Sequence, residues 1–177
     1  MSGVVNLRVV DELPRAVDCV VIGGGILGAA TAFSTQRAGL ATLLVERRSA
    51  LATLTTAAAT GGFRAQFDDP DEMALARESI AVFERFADEI GIAGYDIGFQ
   101  RRGYLWVTTD GATARRQRDL VARQRAWGLD DVELIEGVEL RRRFPYLAPA
   151  VVAGRFRAAD GFMAPPAIAI GYARAAG

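Results

Sequence analysis

The sequence has no histidine, no lysine and a single cysteine, and each absence excludes a class of chemistry. All 21 basic side chains are arginines, and the one thiol is Cys19. A zinc site built from histidine and cysteine ligands is therefore excluded. So are a Ser-His-Asp triad, a Schiff-base lysine and the lysine of a phosphate-binding P-loop. Proton transfer would fall to carboxylates, tyrosines or a bound cofactor.

The single cysteine also bears on the cellular compartment. Cys19 lies in an apolar run, which predicts a buried, unreactive thiol. No disulfide can form within one chain, which is typical of a protein in the reducing cytoplasm. The N-terminus lacks the apolar core of a signal peptide. The longest uncharged stretch, Cys19 to Gln36, contains a glycine cluster and indicates a strand, a turn and a helix rather than a membrane span.

Acidic and basic residues balance at 21 each, so no net field attracts nucleic acid or an anionic membrane. Five arginines between Arg115 and Arg125 fall in a predicted helix. A solvated helix face explains them better than a nucleic-acid-binding surface does. The hydrophobic share of 51% indicates a globular chain with a core of its own.

The first half of the sequence contains a strand, a glycine turn, a helix and a second strand. VDCVVI, residues 17–22, is a short β-branched run stopped by glycines, as expected of a buried parallel strand. ILGAATAFSTQRAG predicts a helix that Gly39 ends at its C-terminus. ATLLVE, residues 41–46, predicts the second strand. This order indicates a βαβ unit with two parallel strands.

The turn of this unit reads GGGILG and matches the pattern GxGxxG. Gly23 permits a sharp turn, Gly25 lets the backbone approach a pyrophosphate, and Gly28 allows close helix–strand contact. The following helix offers free N–H groups and about half a positive charge to the phosphates. Glu46, at the end of the second strand, stands where a carboxylate binds ribose hydroxyls. The pattern predicts dinucleotide binding.

The glycine pattern does not choose between NAD and FAD, because both contain ADP. An NAD-binding unit usually continues directly into another helix and parallel strand. Here a long loop of small residues, 47–67, follows instead, with the sequence TGGFRAQF at its end. We expect a helix from Asp69, as N-cap, to Gly91, because apolar residues recur every three or four positions.

The rest of the chain has a mixed pattern. IGFQRRGYLWVTTD predicts two β segments that meet near Gly103, and GATARRQRDLVARQRAWG predicts a helix. A strand at VELI, a short helix from Gly137 to Phe144 and a strand at VVAGRFRA follow. The terminal ADGFMAPPAIAIGYARAAG predicts a turn and a helix that begins at proline.

Taken together, VVIGGGILGAATAFSTQRAGLATLLVERR, TTAAATGGFRAQF, RRFPYL and ADGFMAPPAIA resemble the amino-terminal part of the FAD-dependent amino-acid and amine oxidoreductases. This is the D-amino-acid oxidase superfamily, and the sequence looks most like the sarcosine oxidase beta-subunit type, with glycine oxidases close by. The resemblance covers most of the chain from Val17 onward. It implies an α/β fold, with a Rossmann-like FAD-binding βαβ unit and the start of a mixed or antiparallel substrate-domain sheet.

The resemblance also implies roles for particular residues. FAD would lie with its pyrophosphate at the glycine turn, its adenosine ribose on Glu46 and its adenine end near Arg47. Arg64 would stabilise negative charge on the reduced flavin or bind a substrate carboxylate, while an exposed or ion-paired arginine is the alternative. The cofactor-binding residues that it implies are Gly23, Gly25, Ile26, Leu27, Gly28, Glu46, Arg47, Thr55, Thr56, Gly61 and Gly62.

Two departures from the family pattern affect these assignments. Leu54 stands where the family often has glycine before its hydroxyl residue, so the loop is expected to be shifted. Some members attach flavin covalently through histidine, which this chain lacks. Full-length members are longer, so we expect an amino-terminal portion that needs a partner subunit or a C-terminal half, with little turnover of its own.

The expected organisation is an N-terminal extension (1–16), the first part of an FAD-binding domain (17–92), the start of a substrate domain (93–158) and a return helix (159–177). The implied reaction is oxidation of the CH–NH bond of a small amine or amino acid. The alternatives are an NAD(P)-linked dehydrogenase and a non-catalytic dinucleotide-binding fragment or subunit. Flavin absorbance of the purified protein would separate the flavoenzyme from the dehydrogenase. Turnover of sarcosine, proline or glycine would separate the flavoenzyme from the non-catalytic fragment.

Overall fold

A computed structural model of the chain describes Leu7, Val9, Val10 and residues 12–177. Half of the predicted N-terminal extension therefore lies outside the described residues. The described residues form eight strands and seven helices. In chain order these are β1 (Cys19–Ile22), α1 (Ile26–Arg37), β2 (Thr42–Val45), α2 (Thr55–Ala58), β3 (Gly62–Phe63), α3 (Pro70–Glu84), α4 (Phe86–Glu89), β4 (Gln100–Arg101), β5 (Tyr104–Thr108), α5 (Gly111–Ala126), β6 (Val132–Glu136), α6 (Gly137–Arg143), β7 (Ala153–Arg157), β8 (Gly161–Phe162) and α7 (Pro165–Ala175).

The chain divides into two compact units, each built from separate segments. The first contains the described residues up to Gly61, together with Val82–Phe99 and Met163–Gly177. The second contains Gly62–Ala81 and Gln100–Phe162. In the described part of the chain, no helix is long and apolar enough to cross a membrane.

The first unit is built on the predicted βαβ motif. β1 and β2 pair in parallel, from Cys19 opposite Thr42 to Ile22 opposite Val45. α1 packs on α7 through small side chains, because Ala29, Ala169 and Ala173 share one buried cluster. A second, aromatic cluster surrounds Phe86 and Ile168.

β1 was expected to be buried on both faces, and that expectation is wrong for one face. Val20 and Ile22 are 52% and 86% exposed, whereas Cys19 and Val21 are half-buried. The strand alternates because, within the first unit, α1 covers one side of a sheet that has two strands. The prediction of a buried Cys19 thiol is likewise only partly correct.

The second unit contains two antiparallel sheets, ordered β5-β7-β6 and β3-β8-β4. In the first, Trp106 lies opposite Arg155, and Leu134 lies on the other side of Arg155. Ile135, Leu140 and Val151 form a buried cluster, with Phe156 packed against it. A parallel strand pair with antiparallel sheets confirms the predicted α/β fold class.

Three predicted elements differ in the structure. The loop over residues 47–67 contains the short helix α2 and the strand β3. The helix predicted from Asp69 to Gly91 begins as expected, because Asp69 accepts hydrogen bonds from the N–H groups of Asp71 and Glu72. It breaks at Arg85 into α3 and α4. β4 and β5 do not pair with each other, because β4 pairs with β8 and β5 with β7.

Candidate functional site

The glycine turn connects β1 to α1 in the first unit. The N–H of Gly23 donates to the carbonyl oxygen of Val45 over 2.8 Å, which holds the turn beside β2. Gly23 has a φ of +109°, a conformation that side chains with a Cβ rarely adopt. A Cβ on Gly28 would overlap the carbonyl oxygen of Gly23. Glycine at both positions is therefore required by the backbone.

Glu46 lies against this turn. Its Oε2 accepts the N–H of Gly24 at 2.7 Å, and its Oε1 accepts the N–H of Arg48 at 2.9 Å. The hydrogen bond from Gly24, followed by that from Arg48, lowers the pKa of Glu46 below its ordinary value. The carboxylate is therefore ionised at neutral pH, half-buried and fixed beside the glycines.

The N-terminus of α1 receives its cap from a distant residue. Thr56 Oγ1, on α2, accepts the N–H of Ile26 at 3.0 Å. A Cβ on Gly25 would lie 3.2 Å from the same oxygen. A side chain at position 25 would therefore crowd the Thr56 hydroxyl. The N–H of Ile26 thus has a protein acceptor, whereas those of Leu27 and Gly28 have none among the described residues. The side chain of Leu27 is exposed, as are Arg47 and Thr55.

Two residues that sequence reasoning missed support the turn. The N–H of Ala52 donates to the carbonyl oxygen of Gly24 over 2.9 Å, and Leu51 fills the space where Gly24 would carry a Cβ. Ala52 is buried and has a φ of +58°. A non-glycine residue in that conformation is uncommon and costs about 1 kcal/mol or more. Nothing in the local sequence signals it, because alanine is not a turn residue.

Gly61 and Gly62 have different surroundings. Gly61, in the first unit, has a φ of +72°, and a Cβ there would overlap the carbonyl oxygen of Met163. Its own carbonyl oxygen accepts the N–H of Met163 at 3.0 Å. Glycine is therefore required at position 61, because the backbone of Met163 leaves no room for a side chain there. Gly62, in the second unit, is exposed in β3 and pairs with Phe162.

Arg64 belongs to the second unit and lies among aromatic rings. Its guanidinium carbon is 4.7 Å from the ring centroid of Phe67, 5.3 Å from that of Trp106 and 5.8 Å from that of Tyr104. Its Nε is buried without a hydrogen-bond partner, and no carboxylate of the described residues forms an ion pair with it. An aromatic surround of this kind holds a guanidinium without neutralising its charge.

The predicted site residues therefore fall into two groups. The glycine turn, Glu46, Arg47, Thr55, Thr56 and Gly61 belong to the first unit, whereas Gly62 and Arg64 belong to the second. The described residues contain no cluster of three or more cysteine, aspartate or glutamate side chains that could hold a metal ion.

Comparison with known proteins gives a consistent result. Residues 18–177 match the family described as FAD dependent oxidoreductase, DAO. The chain is 30% identical over 165 residues to a glycine oxidase of Bacillus licheniformis, an alignment that covers 92% of this chain and 43% of that protein. The chain spans 29% to 43% of the length of the curated relatives it matches.

Solved structures have the same fold over most of the chain. Glycine oxidase from Geobacillus kaustophilus aligns with a TM-score of 0.78 at 26% identity, over 90% of this chain and 44% of that one. L-alpha-glycerophosphate oxidase from Mycoplasma pneumoniae, solved with FAD bound, aligns with a TM-score of 0.66 at 26% identity, over 90% and 42%. The chain therefore belongs to the DAO family of FAD-dependent oxidoreductases.

Proposed function

We propose that the chain binds the ADP half of FAD at the glycine turn and serves the oxidation of a CH–NH bond in an amino acid or secondary amine. The observation that carries the proposal is the Glu46 carboxylate, which accepts the N–H of Gly24 at the mouth of the turn. An acid in this position is available to ribose hydroxyls, and the adjacent helix N-terminus suits a diphosphate.

The residues of the turn fit this group. No atom lies within 4 Å of the position that a Cβ on Gly23 would occupy, so the turn is open on that side. The N–H groups of Leu27 and Gly28 have no acceptor among the described residues and are available to phosphate oxygens. Thr56 already binds the N–H of Ile26, so its proposed role is to hold α1 in place.

Arg64 is proposed to orient the substrate. A guanidinium can bind a carboxylate through two parallel hydrogen bonds, which fixes both the position and the direction of an amino acid. The rings of Phe67, Tyr104 and Trp106 exclude water from one side of it and so strengthen that attraction. Bound FAD would supply the two-electron acceptor, and the protein would supply position and a shielded surface.

The glycine oxidase relatives favour a small amino acid or amine as the substrate class. The turn itself would accept any ADP-containing dinucleotide, so NAD must be tested beside FAD. Thr55, Arg47 and Gly62 are exposed and stay candidates for cofactor contact.

The test is calorimetric titration of the purified chain with FAD and with NAD. We expect FAD to bind, and Glu46→Gln to weaken its binding about tenfold, because a neutral amide is a poorer acceptor for two ribose hydroxyls. Glu78→Gln is the matched control, because Glu78 is an exposed acid on α3. It should leave the FAD affinity unchanged.

Two results would overturn the proposal. One is tighter binding of NAD than of FAD, which would favour a nicotinamide-linked dehydrogenase. The other is equal FAD affinity in the parent protein and Glu46→Gln, since the acid would then have no part in the site.

A further inference from the structure

Arg155 is a buried cation with an incomplete set of partners. Its residue is 4% exposed, and its Nε and Nη1 atoms have no hydrogen-bond partner. It lies in the middle strand β7, where Leu134 and Trp106 flank it on the neighbouring strands. A buried charge without hydrogen bonds is costly, so a group of this kind needs an explanation beyond packing.

Arg155 and Arg64 share one aromatic ring. The guanidinium carbon of Arg155 lies 5.7 Å from the ring centroid of Trp106, and that of Arg64 lies 5.3 Å from the same centroid. Trp106 is 39% exposed, so this ring connects the buried arginine to the surface of the second unit. The Nε of Arg64 and the Nε and Nη1 of Arg155 have no acceptor.

The nearby carboxylates do not neutralise this pair of arginines. Asp160 is fully buried, but its oxygens accept hydrogen bonds from the N–H of Ala65, the Nε2 of Gln66 and the Nη1 of Arg157. Asp68 is exposed and forms no ion pair among the described residues.

Burial lowers the pKa of Arg155 to about 10, Asp68 and Asp160 oppose that shift, and Arg64 adds to it. Arg155 is therefore still protonated at neutral pH. Two positive charges lie near one ring with unfilled hydrogen-bonding capacity.

We propose that Arg64 and Arg155 together bind a dicarboxylic amine, one carboxylate on each guanidinium. The inference rests on the proposed function, in which Arg64 holds the carboxylate of an amine substrate. It adds that the substrate carries a second carboxylate, and that Arg155 selects for it. A second carboxylate gains charge-assisted hydrogen bonds from Arg155 that a monocarboxylic amine cannot form, which is the physical basis of the selection.

The test uses Trp106 as a local fluorescent reporter. Trp127→Phe removes the other tryptophan, and the resulting protein is titrated with iminodiacetate and with sarcosine, which differ by one carboxylate. Neither titration needs flavin, so failure of this inference is distinguishable from failure of FAD binding. We expect iminodiacetate to bind at least tenfold more tightly than sarcosine.

Arg155→Gln should reduce that preference to about twofold or less while sarcosine binding is retained. Arg155→Met, which keeps an unbranched chain without charge, serves if the glutamine variant fails to fold. Arg115→Gln, an exposed arginine on α5, is the control and should keep the full preference.

Three outcomes would overturn the inference. Equal affinity for iminodiacetate and sarcosine would show that the second carboxylate is not recognised. An unchanged preference in both Arg155 variants would show that another group recognises it. Tighter binding of inorganic phosphate than of iminodiacetate would identify a site for a single compact dianion.

Discussion

The glycine turn differs from the arginine pair, Arg64 and Arg155, in whether its polar side chains have hydrogen-bond partners in the protein. At the turn, protein partners engage the side chains: Glu46 accepts two backbone N–H groups, and Thr56 accepts one. Around Trp106, by contrast, Arg64 and Arg155 keep buried nitrogen atoms without partners. In the first region the side chains are hydrogen-bonded to the protein, and backbone N–H groups are left for a ligand. In the second region positively charged side chains are left for a ligand.

This difference follows from how each region is built. The turn depends on backbone conformation within one short stretch, and Gly23 and Gly28 permit it. The arginine pair depends on side chains that antiparallel pairing of β5 with β7 brings together. A region built by the backbone is recognised by its pattern of residues. A region built by strand pairing has no local pattern.

The largest expected effect is at Asp160, which supports the second region. Asp160→Asn removes a fully buried negative charge that three donors share, and it leaves Arg157 with one carboxylate. We expect the free energy of unfolding to fall by about 3 kcal/mol, as for other buried ion pairs that lose a partner. Urea unfolding, followed by circular dichroism, measures it.

Asp131→Asn is the matched control, because Asp131 binds the same arginine from an exposed position at 2.7 Å. Its loss should cost less than about 1 kcal/mol. Equal losses in the two variants would show that burial of Asp160 does not matter, and the contrast between the two regions would then weaken.

A smaller effect is expected at Gly28, which supports the first region. Gly28→Ala places a methyl group against the carbonyl oxygen of Gly23, and α1 must move away from the turn. We expect a loss of about 2 kcal/mol in unfolding free energy, as for other overpacked sites, together with weaker FAD binding. The same urea experiment applies.

Gly111→Ala serves as the control for this change. Gly111 is the first residue of α5, and no atom lies within 4 Å of the position of a Cβ there. Alanine should be neutral or stabilise the helix by up to about 1 kcal/mol. A similar result at Gly28 would mean that the turn tolerates a side chain.

The βαβ unit, the pairing order of β1 and β2 and the Asp69 cap could be predicted from the sequence. Each depends on residues that are close together in the chain, and glycine or aspartate marks the critical position. The family could be recognised for the same reason. The break at Arg85 could not be predicted, because neither glycine nor proline stands there.

A large aromatic side chain lies directly after the break. Phe86 stands three residues after Phe83 and four before Ile90, and it is buried whereas Ala87 is half-buried. Phe86 packs edge-on against Tyr172 of α7, with the ring centroids 4.8 Å apart. This contact between large aromatic side chains helps to hold α4 against α7.

The arginine pair shows the same limit at the candidate site. Arg64 stood out in the sequence because glycines precede it, but Arg155 occupies an ordinary strand and no motif marks it. Its importance appears only when Trp106 lies opposite it. Long-range strand register is the information that a single sequence does not supply.

The smallest expected effect concerns the protonation of Glu46. Hydrogen bonds from the N–H groups of Gly24 and Arg48 lower its pKa below 4.5, so folding favours the ionised form. The resulting stability is fully present above pH 4.5 and is lost as the pH falls through the lower pKa of the folded protein. FAD affinity should decline over the same range, because a protonated acid is a weaker acceptor for ribose hydroxyls.

The amide resonance of Gly24 reports this titration directly, because its N–H donates to Glu46 Oε2. In ¹H–¹⁵N spectra recorded against pH, we expect this resonance to shift with a midpoint below 4.5, and the shift to disappear in Glu46→Gln. A midpoint above 4.5 would mean that the carboxylate does not receive these N–H groups in solution. The first region would then also hold a charge without partners, and the contrast with the arginine pair would not stand.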